Sequence, residues 1–379
     1  HFGCRLRKSQ IFHAGYPTPR VVLSWLGQLI EWPIVYSSSG AKKFLVGIIA
    51  ASSLVITACS YNPNEGNETE VQGNATPASS PQDTDPAGNV EEYGEISDIA
   101  HVGDTIAVRS DDTITFGAPD SLGNPLKISP SCGDLNSSAG FFFIGCGDKV
   151  YKIDPNNPSD PRVIPVDVDF AVTAATELSS GELFLASNET KDIVIYKDGE
   201  VIDDFTVEEP SDQLLAVPNQ DGVDNVIRIN REATTIQNLD WENSREGGRL
   251  RAGIGLGQGT VGEDGTILVS DTLGGRLMVY TSEDVVRQHQ FGPVDGSPWG
   301  VAWDEKRQIA WVTTTDNNLV HGFNISTGVP ELVTTLGTVA DAQSIQALDN
   351  GDLVLGSATG AGLQVTPATY IDDSVENPK

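Results

Sequence analysis

Basic residues are scarce in this chain. Only 23 lysines and arginines stand against 53 aspartates and glutamates among 379 residues, and the formal net charge is −30. Six of the basic residues but only one acidic residue precede position 59, so the rest of the chain is still more acidic. Nucleic acids and anionic lipid headgroups are both bound through basic surfaces. The composition therefore argues against DNA or RNA as a partner, and against adsorption to an anionic lipid surface.

Histidines and catalytic motifs are also few. The three histidines beyond position 59 are His101, His289 and His321, which are far apart and show neither HxxxH nor HxH spacing. A zinc site is therefore not expected. No Gly-x-Ser-x-Gly elbow is present. The glycine run 253–259 lacks the lysine and the strand–loop–helix setting of a phosphate loop, and it is interpreted as a strand start with a tight turn. The sequence predicts no catalytic residue, no metal ligands and no cofactor.

Long apolar runs are missing, and one short run has the layout of a secretion signal. Lys42 and Lys43 precede about 15 apolar residues, fewer than the roughly 20 that span a bilayer. Cys59 follows in the sequence LVITACS, which resembles a bacterial lipobox, in which the cysteine receives a diacylglyceryl group and becomes the mature N-terminus. We therefore predict a lipoprotein signal peptide at 41–58, lipidation at Cys59, and anchoring to the outer face of a bacterial cytoplasmic membrane. The alternative is a buried apolar helix that ends in an incidental cysteine.

The segments around this signal have little to bury. The only methionine is Met278, and we interpret residues 1–40 as an over-extended, unstructured N-terminus. Residues 59–90 are rich in Asn, Pro, Thr, Ser and acids, which predicts a disordered tether. Residues 369–379 are expected to be a C-terminal tail.

Beyond Cys59 only two cysteines remain, Cys132 and Cys146. Their midpoint, Ala139, lies in the turn-like run NSSAG. A hairpin there would place the two thiols across neighbouring antiparallel strands, close enough to bridge. An exported chain with an even pair predicts a disulfide, and two free thiols are the alternative.

From about residue 91 short β-rich runs repeat, and no helical period is evident. The clearest copies are GELFLAS, GTILVSD and GDLVLGS, in which a turn glycine precedes an apolar strand. Their starts and those of four fainter copies lie 37 to 43 residues apart, at Gly103, Gly140, Gly181, Gly222, Gly265, Gln308 and Gly351.

A period near 40 with several strands per repeat is typical of a β-propeller. A single four-stranded sheet cannot bury both of its faces, whereas seven sheets stacked around an axis cover one another. The predicted fold class is therefore all-β, a seven-bladed β-propeller over residues 91–368, preceded by the signal peptide and the tether. We expect Val90–Ile96 to supply the missing outer strand of the last blade. A β-sandwich would not explain seven evenly spaced starts.

The fifth and sixth repeats resemble a known family. GQGTVGEDGTILVSDTLGGRLMVY, GSPWGVAWDEKRQIAWVTTTDNNLVHGFN and the later SATGAGLQV are similar to the LppL-type prolipoproteins of actinobacteria. The similarity is best over residues 240–366. PWGVAWD at Pro298–Asp304 also resembles, more loosely, the blade starts of YncE/NHL-like propellers. The resemblance implies a lipobox, a polar tether and a C-terminal propeller, and it implies no biochemical activity.

Six residues are candidates for ligand contact. Four precede or open predicted inner strands, where aromatic and amide side chains tend to line the tunnel mouth: Phe170, Gln258, Trp299 and Gln343. Asp271 ends a predicted inner strand at one rim, and Arg276 follows it. The alternatives are a turn-capping role for Asp271, an ion pair between Asp271 and Arg276, and inter-blade packing for Trp299. Inter-blade packing is the prediction for Trp303 and Trp311.

Two functions fit this sequence. The first is a monomeric, non-catalytic binding or scaffold module at the cell envelope, with a protein, peptide or glycan ligand. The second is a propeller enzyme such as a calcium-dependent lactonase, for which Asp271 and Asn317 are the nearest candidate Ca²⁺ ligands. A quinone-linked dehydrogenase is disfavoured because repeated tryptophan docking motifs are absent from the sequence. The fold alone does not choose between these functions, because propellers carry unrelated activities.

Overall fold

A computed structural model describes residues 72–219 and 222–377, which contain seven four-stranded antiparallel sheets. Each sheet is called a blade, and its strands follow one another from the centre outward. The predicted signal peptide at 41–58, Cys59 and residues 1–40 lie outside the described residues.

The blades are numbered in chain order. Blade 1 contains β2 (Asp98–Val102), β3 (Thr105–Ser110), β4 (Thr113–Gly117) and β5 (Gly123–Lys127). Blade 2 contains β6 (Leu135–Ser138), β7 (Phe141–Gly145), β8 (Lys149–Ile153) and β9 (Arg162–Pro165). Blade 3 contains β10 (Ala174–Glu177), β11 (Leu183–Ala186), β12 (Asp192–Lys197) and β13 (Glu200–Thr206). Blade 4 contains β14 (Gln213–Val217), β15 (Asn225–Asn230), β16 (Thr235–Asp240) and β17 (Arg245–Arg251).

The remaining blades complete the ring. Blade 5 contains β18 (Leu256–Val261), β19 (Thr266–Asp271), β20 (Arg276–Ser282) and β21 (Val286–Pro293). Blade 6 contains β22 (Pro298–Asp304), β23 (Ile309–Thr314), β24 (Leu319–Asn324) and β25 (Glu331–Gly337). Blade 7 contains β26 (Ala342–Ala347), β27 (Leu353–Ser357), β28 (Leu363–Thr366) and, as its outer strand, β1 (Asn89–Glu91). The inner strands contact one another in chain order, and β26 also contacts β2, so the ring is closed. The predicted seven-bladed propeller is confirmed.

The repeat starts found in the sequence coincide with the hairpin turns that join the first and second strands of the blades. Each predicted repeat start lies between these two strands of its blade. Gly181 and Gly351 have backbone φ angles of 92° and 91°, which residues other than glycine rarely adopt. The apolar run after each turn is a second strand that is buried on both faces between neighbouring blades, as in β27, where all five residues are buried.

The predicted packing of two tryptophans is confirmed. Trp311 is fully buried between blades 6 and 7 with Ile345 and Leu353. Trp303 packs against the apolar cluster between blades 5 and 6, which includes Val279.

The N-terminal strand closes the last blade, as predicted. Asn89–Glu91 pairs antiparallel with β28, and Val90 lies opposite Gln364. The paired segment is shorter than the predicted Val90–Ile96. It joins the start of the propeller to its last blade.

Residues Gln72–Gly88, here called the strap, lie against the propeller. The backbone N–H of Gly73 donates to the carbonyl of Ile254 (2.9 Å), and that of Ala87 donates to the carbonyl of Gly337 (2.9 Å). Ala75 and Ala87 are buried. The tether predicted for residues 59–90 therefore does not include 72–90, because the backbone and small side chains of this polar segment bind the blades.

The predicted tail begins with a helix, α1 (Ala368–Glu376). Its Ile371 is fully buried, and its Asp372 pairs with Arg307 of blade 6 (Nε to Oδ1, 2.7 Å). The helix is short and starts directly after Pro367, so the sequence offers few turns in which to detect a helical period. Among the described residues, no helix has both the length and the apolar character needed to cross a bilayer.

The predicted disulfide between Cys132 and Cys146 is confirmed, with Cα atoms 4.2 Å apart. The cysteines lie just beyond the adjoining ends of β6 and β7, where the N–H of Gly133 donates to the carbonyl of Gly145 (2.9 Å). The disulfide therefore joins β6 and β7 covalently just beyond the end of their hydrogen-bonded pairing.

Candidate functional site

The propeller has two different rims. The strap rim contains the starts of the inner strands and the turns that join second to third strands. The hairpin rim contains the turns that join first to second strands. Hairpins of adjacent blades bind each other there: the N–H of Asn350 donates to Asp104 Oδ1 (2.9 Å), and Gln308 Nε2 donates to Glu263 Oε2 (2.6 Å).

A polar cavity of about 170 Å³ lies between the inner strands. Its polar lining consists of Asp98, His101, Asp134, Asn136, Ser137, Gln213, Gln258, Thr260, Gln343, Ser344 and Gln346. Ligand pockets for drug-sized molecules are usually about 300–1,000 Å³. This cavity therefore suits one functional group or a small part of a larger ligand.

Blade 3 contributes no residue to the lining of this cavity. Asn136 of blade 2 instead donates from Nδ2 to the carbonyl of Leu214 in blade 4 (2.9 Å). The same amide group lies 3.4 Å from the carbonyl oxygen of Ala175 in blade 3. Blades 2 and 4 therefore contact each other in front of β10. As a result, six of the seven inner strands line the cavity.

Two carboxylates occupy the strap-rim end of the cavity lining. Asp98 Oδ2 accepts a hydrogen bond from the N–H of Leu135 (3.0 Å), which ties blade 1 to blade 2. Asp134 Oδ2 accepts a longer bond from Gln213 Nε2 (3.4 Å), which ties blade 2 to blade 4. Within the described residues, neither carboxylate forms an ion pair at salt-bridge distance.

The environment favours the neutral form of both acids. Burial raises the pKa of Asp98 above its ordinary value, and the charge of Asp134 raises it further, against the opposing hydrogen bond from Leu135. Burial likewise raises the pKa of Asp134, while the positive charge of Arg231 opposes the increase. Buried carboxylates without close ion pairs lower stability when ionised, and such groups are concentrated at functional sites.

Amide side chains also line the cavity. Gln258 Oε1 accepts from Arg231 Nη2 (2.9 Å), and Gln346 Oε1 is 2.8 Å from His101 Nδ1. The side chain of Gln343 forms no hydrogen bond within the described part of the chain, so its amide can donate to and accept from a ligand. The lining thus offers both acceptors and donors to a polar group.

Gln258 and Gln343 line the cavity, as their predicted position at the tunnel implied. The two aromatic candidates lie elsewhere. Trp299 is 9 % exposed and its ring lies against Gly257, where an added Cβ would be 3.2 Å from Cε3. Phe170 is half-buried and packs on the cluster between blades 2 and 3. Both aromatic side chains fill space between neighbouring strands instead of facing the cavity.

Asp271 and Arg276 are also away from the cavity. Asp271 is fully buried, and its Oδ1 accepts from the N–H groups of Ile254, Gly255 and Gly274 at 3.0–3.1 Å, which is the turn-capping alternative. No ion pair joins Asp271 to Arg276, although the structure describes both. The guanidinium of Arg276 instead lies 5.6 Å from the ring centre of Phe291.

Asn317, the other candidate for a calcium site, is engaged in its own turn. Its Oδ1 accepts from Thr314 Oγ1 (2.5 Å), and its Nδ2 donates to the carbonyl of Asp295 (3.1 Å). In the described ranges 72–219 and 222–377, no three His, Cys, Asp or Glu side chains are grouped so that they could hold a metal ion.

The sequence did not single out Asp98 and Asp134. With 53 acidic residues in the chain, a pair of carboxylates is not informative by itself. Its place in the repeat is the signal that could have identified Asp98. It lies five residues before the hairpin glycine Gly103, at the start of the inner strand of blade 1, where an acid must face the tunnel or a neighbouring blade.

Solved structures share this fold. No protein-family model matches the chain, and no curated protein matches it significantly. The WD40 β-propeller domain of Doa1 aligns with a TM-score of 0.53 at 14 % identity, over 76 % of this chain and 97 % of that chain. Kuenenia stuttgartiensis hydrazine synthase aligns with a TM-score of 0.55 at 12 % identity, over 75 % of this chain and 98 % of that chain. What is shared is the propeller fold.

The two acids lead to a prediction about pH. A carboxyl group whose pKa is higher in the folded than in the unfolded state contributes stability at pH values below its unfolded pKa. This contribution is lost as the pH rises through the folded pKa. Asp98→Asn keeps an acceptor for Leu135 and removes the ionisable group. We expect the variant to exceed the native protein in free energy of unfolding by about 1–3 kcal/mol at pH 8, and by much less near pH 4. Urea unfolding across this pH range measures the difference.

Asp112→Asn is the matched control. The hydrogen bond from Lys127 lowers the pKa of Asp112, whose side chain is 44 % exposed, so this variant should be slightly less stable than the native protein at pH 8. Equal pH profiles for Asp98→Asn and the native protein would mean that the half-buried Asp98 carboxyl is not desolvated.

Proposed function

We propose that this protein is a lipid-anchored, extracytoplasmic binding module whose propeller holds a polar group of its ligand in the central cavity. The observation that carries the binding role is the cavity lining, in which Asp98 and Asp134 face a polar space and form no close ion pair with any described residue. A fold selected for stability alone would gain by replacing them with neutral groups.

The lining favours a ligand group with several hydrogen-bond donors. Two carboxylates accept hydrogen bonds, and the free amide of Gln343 both donates and accepts. Amines, amides and hydroxyls, as on a peptide or an amino sugar of the cell envelope, have this chemistry. At about 170 Å³, the cavity fits one such group rather than a whole oligomer.

The sequence around Cys59 supports a lipid anchor. Lys42, Lys43, the apolar stretch that follows and Cys59 together have the layout of a lipoprotein signal. A single acyl chain binds a membrane only weakly, whereas two chains give stable anchoring. A diacylglyceryl group at Cys59 would therefore be sufficient to keep the protein at the membrane.

Expression in a bacterium with lipoprotein maturation tests the anchor. We expect the protein in the membrane fraction, with an N-terminal peptide that begins at Cys59 and carries the mass of a diacylglyceryl group. Cys59→Ala should lose both properties. A membrane-free protein with an unmodified Cys59 would contradict the anchor.

Melting experiments test the cavity. Soluble peptidoglycan fragments should raise the melting temperature of the native protein, because binding to the folded state stabilises it. The double variant Asp98→Asn/Asp134→Asn should not respond. An equal increase in both proteins would place the binding site outside the cavity.

A calcium-dependent enzyme is the second candidate function. Carboxylate and amide oxygens are ligands that Ca²⁺ prefers, and the cavity contains both types. Under this alternative, Ca²⁺ alone would raise the melting temperature by several degrees, and the same double variant would abolish the increase.

A further inference from the structure

The strap fixes the place where the preceding chain leaves the propeller. Gln72 Oε1 accepts from Arg251 Nη1 (3.0 Å), and the N–H of Asn74 donates to the carbonyl of Arg231 (3.0 Å). Arg251 ends the outer strand of blade 4, and Arg231 is in the turn between its second and third strands. Both contacts are therefore on the strap rim.

The middle of the strap is bound to the same rim, two blades away. Ser80 donates from its N–H to Asp341 Oδ1 (3.1 Å) and from its Oγ to the carbonyl of Thr315 (2.5 Å). Asn318 Nδ2 donates to the carbonyls of Pro81 (2.8 Å) and Asp83 (3.2 Å). The strap thus crosses the rim from blade 4 to blades 6 and 7 before it reaches β1.

The strap is closely packed where it meets the blades. An added Cβ at Gly73 would be 1.9 Å from the carbonyl oxygen of Glu232. At Gly337 an added Cβ would be 2.0 Å from the carbonyl oxygen of Asp85. Contacts this close hold both ends of the strap in register with the rim.

Only twelve residues separate Cys59 from Gln72. Fully extended, the thirteen steps from Cys59 to Gln72 span at most about 45 Å. A six-residue strand is about 20 Å long, so the height of a blade is nearly half of that maximum reach.

We propose that the strap rim faces the membrane, so that soluble partners reach the propeller from the hairpin rim. This orientation rests on the proposed lipid anchor at Cys59. It follows because the chain leaves from the strap rim, and a connection this short holds that rim closer to the lipid than the opposite one.

Two surface glutamates of blade 3 provide a matched pair of labelling sites. Glu189 is exposed in the turn after β11 on the strap rim, and Glu200 is exposed at the start of β13 on the hairpin rim. Glu189→Cys and Glu200→Cys remove the same charge, and Cys132 and Cys146 are already bonded to each other. Each lipidated variant would carry one fluorophore and be reconstituted into phosphatidylcholine vesicles that contain a nitroxide headgroup lipid.

We expect several-fold stronger quenching of the label at Glu189→Cys than at Glu200→Cys. Inserting about 30 Gly/Ser residues between positions 66 and 67 should remove the difference while the protein still floats with the vesicles, because the longer connection no longer holds one rim near the lipid. Equal quenching of the two uninserted variants, or stronger quenching at Glu200→Cys, in protein that floats would overturn the orientation alone. Protein that does not float would overturn the anchor, and the orientation with it.

Discussion

Trp311→Ala is expected to lower the free energy of unfolding by about 3–5 kcal/mol, the range for removing a large aromatic side chain from a core. Trp311 is fully buried between blades 6 and 7, and its ring lies against Gly322, where an added Cβ would be 2.8 Å from Cζ3. The neighbouring strand therefore has no side chain at this position to fill the resulting cavity. Urea unfolding of the native protein and the variant measures the loss.

The indole N–H of Trp311 adds a polar link to this packing. Nε1 donates to Asp304 Oδ2 (3.3 Å), which also accepts from Arg307 Nη1 (2.7 Å). Arg307 in turn donates to the carbonyl of Gly351 in the hairpin of blade 7 (2.8 Å). Removal of the tryptophan thus affects the apolar contact and the hydrogen-bonded connection between the two blades.

Phenylalanine substitutions separate these two contributions. Trp311→Phe keeps most of the volume and loses the hydrogen bond to Asp304, so it should lower the free energy of unfolding by about 1–2 kcal/mol. Trp303→Phe is the control, because Trp303 Nε1 is buried with no hydrogen-bond partner in the described residues. If Trp303→Phe is more destabilising than Trp311→Phe, the proposed role of the Asp304 link is wrong.

Gly88→Val is expected to detach the N-terminal strand from the last blade. Gly88 has a φ of 90°, and an added Cβ would be 2.3 Å from the carbonyl oxygen of Val365 in β28. The strain of the backbone alone costs about 1–3 kcal/mol. Because the clash also displaces the strand next to it, the total loss should be larger. A glutamate-specific protease should then cleave faster after Glu91, whose side chain is already exposed but whose backbone is paired with β28 in the native protein.

Gly328→Val separates the clash from the strain. Gly328 has a φ of 84°, and nothing lies within 4 Å of an added Cβ there. This variant should show the cost of the backbone strain without faster cleavage at Glu91. Equal cleavage in both variants would mean that the clasp between β1 and β28 does not depend on the fit at Gly88.

The propeller could be predicted because its signal is local and repeated. Each blade carries its own hairpin turn and its own doubly buried second strand, so Gly181, Gly265 and Gly351 are recognisable without knowledge of their neighbours. The outer strand at Asn89–Glu91 could be predicted because blade 7 lacks a fourth strand in the sequence that follows it. The same repeat spacing places Gln258 and Gln343 in inner strands, which line the cavity.

The strap and the acidic pair could not be predicted in this way. Ser80 and Gly73 are held by hydrogen bonds to distant turns, and a polar, proline-containing segment has the composition of a tether whether or not such partners exist. Trp299 lies in an inner strand, as predicted, but the sequence did not determine the direction in which its side chain points. Its ring turns toward Gly257, whose lack of a side chain leaves the space.

The clasp between β1 and β28 has a consequence for the order of assembly. A ribosome makes the N-terminal end first, yet Val90 pairs with Gln364, which is made more than 270 residues later. The earliest strand must therefore wait with an open edge while six blades are completed, and joining such distant ends is slow compared with forming a hairpin. Until β28 has been made, the backbone groups of Asn89–Glu91 that pair with it remain without these partners.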